Sequence, residues 1–357
     1  MTTTAAEAVP SDTAPSPASP PDPASPASIA ADTAPSPASV AAPAPRAVAL
    51  DLRKVTARIG ARVSGLDLTA PLDQPTVAAI RAALNEHKAL VFDAAGLDDE
   101  GQQRFARYFG ELTTAHPTVP ALDGSPNILP VDSEEGGRAN HWHTDVTFVV
   151  SPPQASTLRS LVIPPYGGET LIANAAAAYR DLPDSLRAFA DTLWAVHTNV
   201  YDYAASGRTL SAKHQEHRKL FTSIAYETAH PVVRVHPLTG ERGLFIGGFA
   251  QRILGLSAGE SRTILDILQS YVTRPENILR WRWAQNELVL FDNRITQHYA
   301  IDNYDDLPRR LHRVTVAGDI PTAIDGTRSY SIAGDASHYT TVAEVAQPVS
   351  EPAATAA

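Results

Sequence analysis

The stretch ELVLFDNRITQHYAIDNYDDLPRRLHRVTV, residues 287–316, decides the fold class. Leu288–Phe291 and His312–Val316 are short runs rich in branched apolar residues, each bounded by Asp, Asn, Arg or Pro, and they predict strands. His298 lies between them, and Arg309 and Arg313 stand at the second strand. Residues four apart on a strand project to the same side, so the two guanidiniums share a face. A guanidinium fork matches a carboxylate or a sulfate, and two such charges on one interior face repel unless anions answer both. Surface ion pairs to Asp305 and Asp306, just upstream, are the alternative that spacing alone leaves open.

Working outward, further strand candidates are Val232–Val235, Leu244–Ile246, Ile278–Trp283, Leu90–Phe92 and the alternating segments between Val48 and Leu68. Helical spacing predicts helices over Thr76–Lys88, Asp98–Phe109 and Ala175–Leu193, and a fourth from Ser257, where Ser257 and Glu260 have capping-box spacing. Short strands with Gly/Pro turns and helices at the flanks give a mainly β fold with flanking α, an antiparallel sandwich or barrel.

Residues 1–45 are dominated by Pro, Ala, Ser and Thr, and Asp12–Ser19 (DTAPSPAS) recurs at Asp32–Ser39. Such a segment has too little apolar surface to offset its ordering entropy and is expected to be a disordered tail. The folded domain is then expected over 46–320, with a mobile tail over 321–357 where the apolar pattern fades. No secretory leader and no run of roughly 20 apolar residues stands in the sequence, so the protein is expected to be cytoplasmic and off the membrane. A net charge of −10 without a basic cluster argues against a nucleic-acid or anionic-membrane partner and for a small-molecule substrate. Cysteine is absent, which removes disulfides, thiolate metal sites and a Cys nucleophile, so any metal binds through nitrogen and oxygen.

His143-Thr144-Asp145 is a His-x-Asp, and in an extended segment its imidazole and carboxylate reach one ion together. Alone it is weak, because twelve histidines give about 0.7 such pairs by chance in a chain of this composition. His214-Gln215-Glu216 is a near-miss in a charged stretch that reads as a solvated helix face. A facial triad needs a second His from another strand, and His298 fits that place, although a hydrogen-bonded structural histidine fits it equally on spacing.

These residues resemble the taurine dioxygenase family of Fe(II)/2-oxoglutarate-dependent oxygenases. The matching stretches are His141-Trp142-His143-Thr144-Asp145-Val146-Thr147-Phe148, Gly167-Gly168-Glu169-Thr170, His230-Pro231-Val232-Val233-Arg234, Asp292–His298 and Arg309–Arg313, in the family's order across roughly Asp51–Asp319. The resemblance implies a double-stranded β-helix, or jelly roll, and a homo-oligomer, a dimer or a tetramer. It implies Fe(II) on His143, Asp145 and His298, with 2-oxoglutarate and O2 as cosubstrates. It places Thr170 and Arg309 at the distal carboxylate of 2-oxoglutarate. It gathers Arg313, His116 and the Val146 amide around an anionic head group, with Arg313 also bordering the cosubstrate.

Within the family the chain is similar to the alkyl sulfate ester dioxygenases, on Gly136–Asn140, Trp194–Asn199, Tyr201-Asp202-Tyr203 and Ala300–Asp306. Val119 stands where taurine-cleaving members carry a tyrosine, which disfavours an amino-sulfonate. The implied reaction hydroxylates the carbon next to the sulfate oxygen and yields aldehyde, sulfate, succinate and CO2. An alkylsulfonate or a carboxylate substrate is the alternative, and a non-catalytic jelly-roll binding module is a further one.

Overall fold

Strand 287–292 carries six consecutive buried residues, which requires a layer on each of its faces. A computed structural model describes residues 48–133, 139–200 and 212–343, all within the unit Pro45–Ala357. The amino-terminal segment, Gly136-Gly137-Arg138, Tyr201-Asp202-Tyr203 and the last fourteen residues lie outside them.

In chain order the strands are β1 (Asp51–Lys54), β2 (Ala61–Ser64), β3 (Ala89–Asp93), β4 (Ile128–Asp132), β5 (Ala155–Val162), β6 (Thr170–Asn174), β7 (Trp194–Thr198), β8 (Glu227–Pro231), β9 (Val233–Val235), β10 (Arg242–Leu244), β11 (Ala250–Ile253), β12 (Ile278–Trp281), β13 (Glu287–Asp292), β14 (Thr296–Ala300), β15 (Arg310–Val316) and β16 (Tyr330–Ala333). The helices are α1 (Gln74–His87), α2 (Asp99–Arg107), α3 (Ala175–Arg180), α4 (Asp184–Ala190), α5 (Ala212–Phe221) and α6 (Ala258–Val272).

The largest sheet has the order β1-β2-β3-β13-β5-β15-β4, and smaller sheets β12-β6-β14, β11-β7-β8-β16 and β10-β9 complete a jelly roll. On β13, Leu288 and Leu290 pack under α1 and α2 with Ile80, Leu84 and Phe105, while Val289 and Phe291 face inward onto Ile172, Leu279 and Trp283 of the β12-β6-β14 side. The same division runs along β15: Val314 and Val316 point to the helices and Leu311 points inward. Arg309 and Arg313 share the parity of Leu311, because the bulge in the β15–β5 ladder falls at Leu161 of β5 and leaves the alternation of β15 intact.

The expected helices form with two adjustments. α6 starts in a full capping box, the Ser257 amide donating to Glu260 Oε2 at 2.9 Å and the Glu260 amide to Ser257 Oγ at 3.4 Å. The helix expected over Ala175–Leu193 is two, α3 and α4, because Pro183 cannot sit in a helix interior and instead starts the second. α5 carries His214-Gln215-Glu216, as expected of a helical segment.

Residues 321–343, expected as part of a tail, pack on the body instead. β16 pairs with β8, and Tyr339 is 1% exposed among Val146, Phe148 and Phe249. A single deeply inserted aromatic anchors this stretch, which has no periodic apolar pattern. No helix among the described residues is long and apolar enough to cross a membrane.

Candidate active site

β14 runs beside β6 and presents His298 opposite Ile172. His143 forms a two-way backbone bridge to it, the His143 amide donating to the His298 carbonyl at 3.0 Å and the His298 amide to the His143 carbonyl at 2.7 Å. Thr144 Oγ1 adds a bond to the Thr296 carbonyl at 2.6 Å, so the His-x-Asp segment is fixed to β14 from both sides. Asp145 Oδ1 then lies 4.0 Å from His143 Nε2 and 3.8 Å from His298 Nε2. One donor atom from each of the three residues falls within 4.8 Å of the others, all three residues being buried.

Each donor is prepared for a cation. His143 Nδ1–H donates to the His141 carbonyl at 2.7 Å, which fixes the tautomer with its lone pair on Nε2. Burial holds the His143 pKa below its ordinary value and brings His298 down to about 3, so both imidazoles are neutral ligands at pH 7. Burial alone would push the Asp145 pKa up, but the Arg313 guanidinium and the two imidazoles outweigh it and hold the carboxyl far below the usual range. Asp145 Oδ2 accepts from Ser156 Oγ at 2.6 Å, and Ser156 in turn accepts from Asn293 Nδ2 at 2.7 Å. Two neutral imidazoles and one carboxylate, with no fourth His, Cys, Asp or Glu in the group among the described residues, have the donor set of a facial triad.

Sequence reasoning did not find Ser156 and Asn293. The polar run Asp292-Asn293-Arg294 between two apolar strands, all three residues of which are buried, was the signal for Asn293, and Ser156 had none.

The two arginines are not surface ion pairs: Arg309 is 4% exposed and Arg313 8%, and Asp305 instead accepts from the Tyr166 hydroxyl at 2.7 Å. Arg309 Nε donates to the Gly168 carbonyl at 2.9 Å and Nη2 reaches Thr170 Oγ1 at 3.4 Å. No carboxylate among the described residues faces this guanidinium, and its burial lowers its pKa. Thr170 Oγ1 accepts from Trp283 Nε1 at 2.9 Å, which leaves its own proton free to donate. The Gly-Gly turn is required here. Gly168 has φ +68°, and a Cβ on it would come within 3.0–3.1 Å of the Arg309 side chain.

Arg313 Nη1 donates to Asp145 Oδ1, the oxygen that faces both imidazoles, and Nη2 donates to the Ala115 carbonyl at 3.3 Å. His116 follows Ala115. Its Nδ1 accepts from the Thr118 and Val119 amides, both at 3.1 Å, so the ring proton is on Nε2. Burial and then the Arg313 charge hold its pKa well below 6.5, which keeps it a neutral donor. Val146 has φ +52°, an uncommon conformation for a β-branched residue and one that concentrates at functional sites. No acceptor among the described residues takes its amide proton. Thus the structure brings His143, Asp145, His298, Arg313, His116 and Val146 into one neighbourhood, with Thr170 and Arg309 paired on its flank.

Residues 51–315 match the family described as taurine catabolism dioxygenase TauD, TfdA family. The chain belongs to the TauD/TfdA family. It is 52% identical over 288 residues to the alpha-ketoglutarate-dependent sulfate ester dioxygenase of Pseudomonas putida, covering 80% of this chain and 95% of that protein. It is 48% identical over 281 residues to the alkylsulfatase of Acinetobacter baylyi, covering 78% and 88%. The crystal structure of a taurine dioxygenase from Burkholderia xenovorans superposes with a TM-score of 0.68 at 37% identity, over 80% of this chain and 95% of that one. The TauD/TfdA assignment makes the protein a 2-oxoglutarate-dependent dioxygenase with the jelly-roll fold of its structural neighbours.

Proposed function

We propose that this TauD/TfdA enzyme binds Fe(II) on His143, Asp145 and His298 and hydroxylates alkyl sulfate esters at the carbon bearing the sulfate oxygen. The observation that carries the reading is the pair of buried guanidiniums of like parity at β15, one beside Thr170 with no carboxylate among the described residues and one at the triad beside His116. The 52% and 48% identical relatives are named for sulfate esters, which points the second arginine at a sulfate.

When bound, iron with 2-oxoglutarate and O2 supplies the oxidant for a C–H bond. The residues of this chain do the rest by positioning. Arg309 and the free Thr170 proton grip the distal carboxylate of 2-oxoglutarate with two charge-assisted bonds. Arg313, the His116 Nε2–H and the Val146 amide hold the sulfate so that the adjacent carbon faces the triad. Phe148 and Val149, both buried next to Val146, would supply apolar side chains for the alkyl chain to pack on. The hydroxylated carbon then carries both a hydroxyl and a sulfate, and it collapses to an aldehyde with release of sulfate. The enzyme works in the cytoplasm as a homo-oligomer in this reading, which sedimentation of the purified protein tests.

The deciding experiment supplies Fe(II), ascorbate and 2-oxoglutarate with a panel of alkyl sulfates, alkylsulfonates, taurine and carboxylates, following O2 uptake and the released anion. Sulfate release from alkyl sulfates is the expected result. Sulfite release would move the substrate to the sulfonates, and uptake driven only by carboxylates would move it to organic acids, which the same arginine can bind.

A further inference from the structure

Of the three proposed head-group donors, the Val146 amide alone belongs to the backbone, so its direction depends on how the chain around it is held. Val146 has φ +52°, and a β-branched residue stays there only when its surroundings over-determine the turn. The Val149 amide closes that turn on the Val146 carbonyl at 3.2 Å. The next two carbonyls are taken by side chains of β8. His230 Nε2–H donates to the Thr147 carbonyl at 2.7 Å, and Thr228 Oγ1 donates to the Phe148 carbonyl at 2.8 Å. From β7, His197 Nδ1 meets Thr147 Oγ1 at 2.8 Å.

Packing alone does not account for these side chains. His197 and His230 are 0% exposed, and both rings lie against Phe245, their centroids 5.6 and 5.2 Å from it. An apolar residue would fill the same space without desolvating an imidazole, so the contacts with Thr147 are what the rings add. Behind His230, Ser329 Oγ lies 2.7 Å from Nδ1 and 3.0 Å from the Pro321 carbonyl, so both nitrogens of the ring are engaged. Asp145, just before the turn, has separate holds: Ser156 Oγ donates to its carboxylate, and Thr144 Oγ1 ties the preceding residue to β14. The grip at Thr170 and Arg309 shares none of these bonds either.

We infer that His230, together with Thr228 and His197, is a positioning residue for the sulfate head group. It holds the Thr147 carbonyl and so keeps Val146 in the left-handed conformation that aims its amide at the anion. This rests on the reading of the Val146 amide as a head-group donor. The sheet β11-β7-β8-β16, which supplies no metal ligand, thereby acquires a part in substrate recognition.

The test compares His230→Leu, which removes the donor, with His230→Gln, whose side-chain amide can donate to the same carbonyl. Anaerobic calorimetry with Fe(II) and 2-oxoglutarate bound reads the affinity for hexyl, octyl and decyl sulfate, and a separate titration reads that for 2-oxoglutarate. His230→Leu is expected to lose about tenfold in alkyl sulfate affinity, as when the binding turn is populated about one time in ten. His230→Gln is expected to recover most of that loss, with 2-oxoglutarate affinity unchanged in both. Equal losses in the two variants overturn the inference, since they mark lost ring packing, and so does an equal loss for 2-oxoglutarate. Should His230→Leu not fold, Thr228→Val keeps the side-chain shape and reads the same clamp: a loss of about threefold confined to the alkyl sulfates supports it, and an unchanged affinity overturns it. Wild-type binding of the sulfates with unaltered variants removes the inference alone, whereas failure of the wild type to bind any of the three removes the head-group reading with it.

Discussion

Arg309 and Arg313 stand four residues apart on one face of one strand, yet their surroundings differ. Arg309 is held by a backbone carbonyl and the Thr170 hydroxyl, with no carboxylate among the described residues facing it. Arg313 is locked onto Asp145 and bordered by His116. Burying a guanidinium without a counter-charge is costly. Under the proposed function the distal carboxylate of 2-oxoglutarate supplies that charge to Arg309, whereas Arg313 already has Asp145 as a counter-charge and would receive the sulfate as a second anion.

The comparison breaks most completely at the shared pivot. Asp145→Ala removes the only carboxylate of the triad and the partner of Arg313 together, and no turnover or Fe(II) binding is expected from the folded variant by iron titration. Retained tight iron binding would show that the triad is not the metal site. Separate effects are expected from the arginines themselves. Arg309→Ala should weaken 2-oxoglutarate by about 10- to 100-fold, the value of one or two hydrogen bonds to a charged group, while leaving alkyl sulfate affinity nearly unchanged. Arg313→Ala should do the reverse. Equal losses of both ligands in both variants, measured by calorimetry, would mean that the two guanidiniums act as one site. A smaller effect is expected one step out. Ser156→Ala removes the bond that orients Asp145 Oδ2, and about a 10-fold loss of metal affinity follows for a partner of a ligating carboxylate; a loss confined to 2-oxoglutarate would place Ser156 elsewhere in the mechanism.

What could be read in the sequence follows from what the residues face. β13 and β15 were legible because both of their faces are covered, so their residues form near-continuous apolar runs. β14 was not, although it carries His298: its sequence Thr296-Gln297-His298-Tyr299-Ala300 lines a polar site and lacks alternation. The triad became legible only through several motifs taken in order, since His-x-Asp arises by chance and a lone histidine has many structural uses. Ser156 left no signal, because a single hydroxyl within a strand reads as packing until its partner is known, and Asn293 showed only through its polar run. Pro183 was a signal, and the break between α3 and α4 follows from it. Tyr339 stayed hidden for the opposite reason: one aromatic in a stretch of Ser, Thr and Ala has no periodicity, and only the tertiary structure sets it among Val146, Phe148 and Phe249.

The arginines keep their charge when buried, whereas imidazoles shed theirs, and this second contrast has the smallest expected effect. His197 and His230 are both fully buried next to the Val146–Thr147 turn. His197 Nδ1 meets Thr147 Oγ1 at 2.8 Å and His230 Nε2–H donates to the Thr147 carbonyl at 2.7 Å. Burial brings the His197 pKa to about 3 and holds His230 well below 6.5. The folded-state values are thus below those of the unfolded chain, so on acidification the unfolded state takes up protons first. Its bound protons exceed those of the native state between about pH 6.5 and 3, and stability falls with falling pH across that window. The contribution is fully present above pH 6.5. Going from pH 7.5 to 6 is expected to cost about 1 kcal/mol per such histidine. His116, His143 and His298 add to the same slope, while the lowered carboxyls of Asp145 and Asp292 contribute only below about pH 4. His197→Gln removes one titrating group and retains a polar partner for Thr147, so its unfolding free energy should decline less steeply between pH 6.5 and 4.5 than that of the wild type. An identical slope, from denaturant titrations at matched pH, would mean that His197 is already protonated in the folded protein, and the turn that positions the Val146 amide would then be held by a cation.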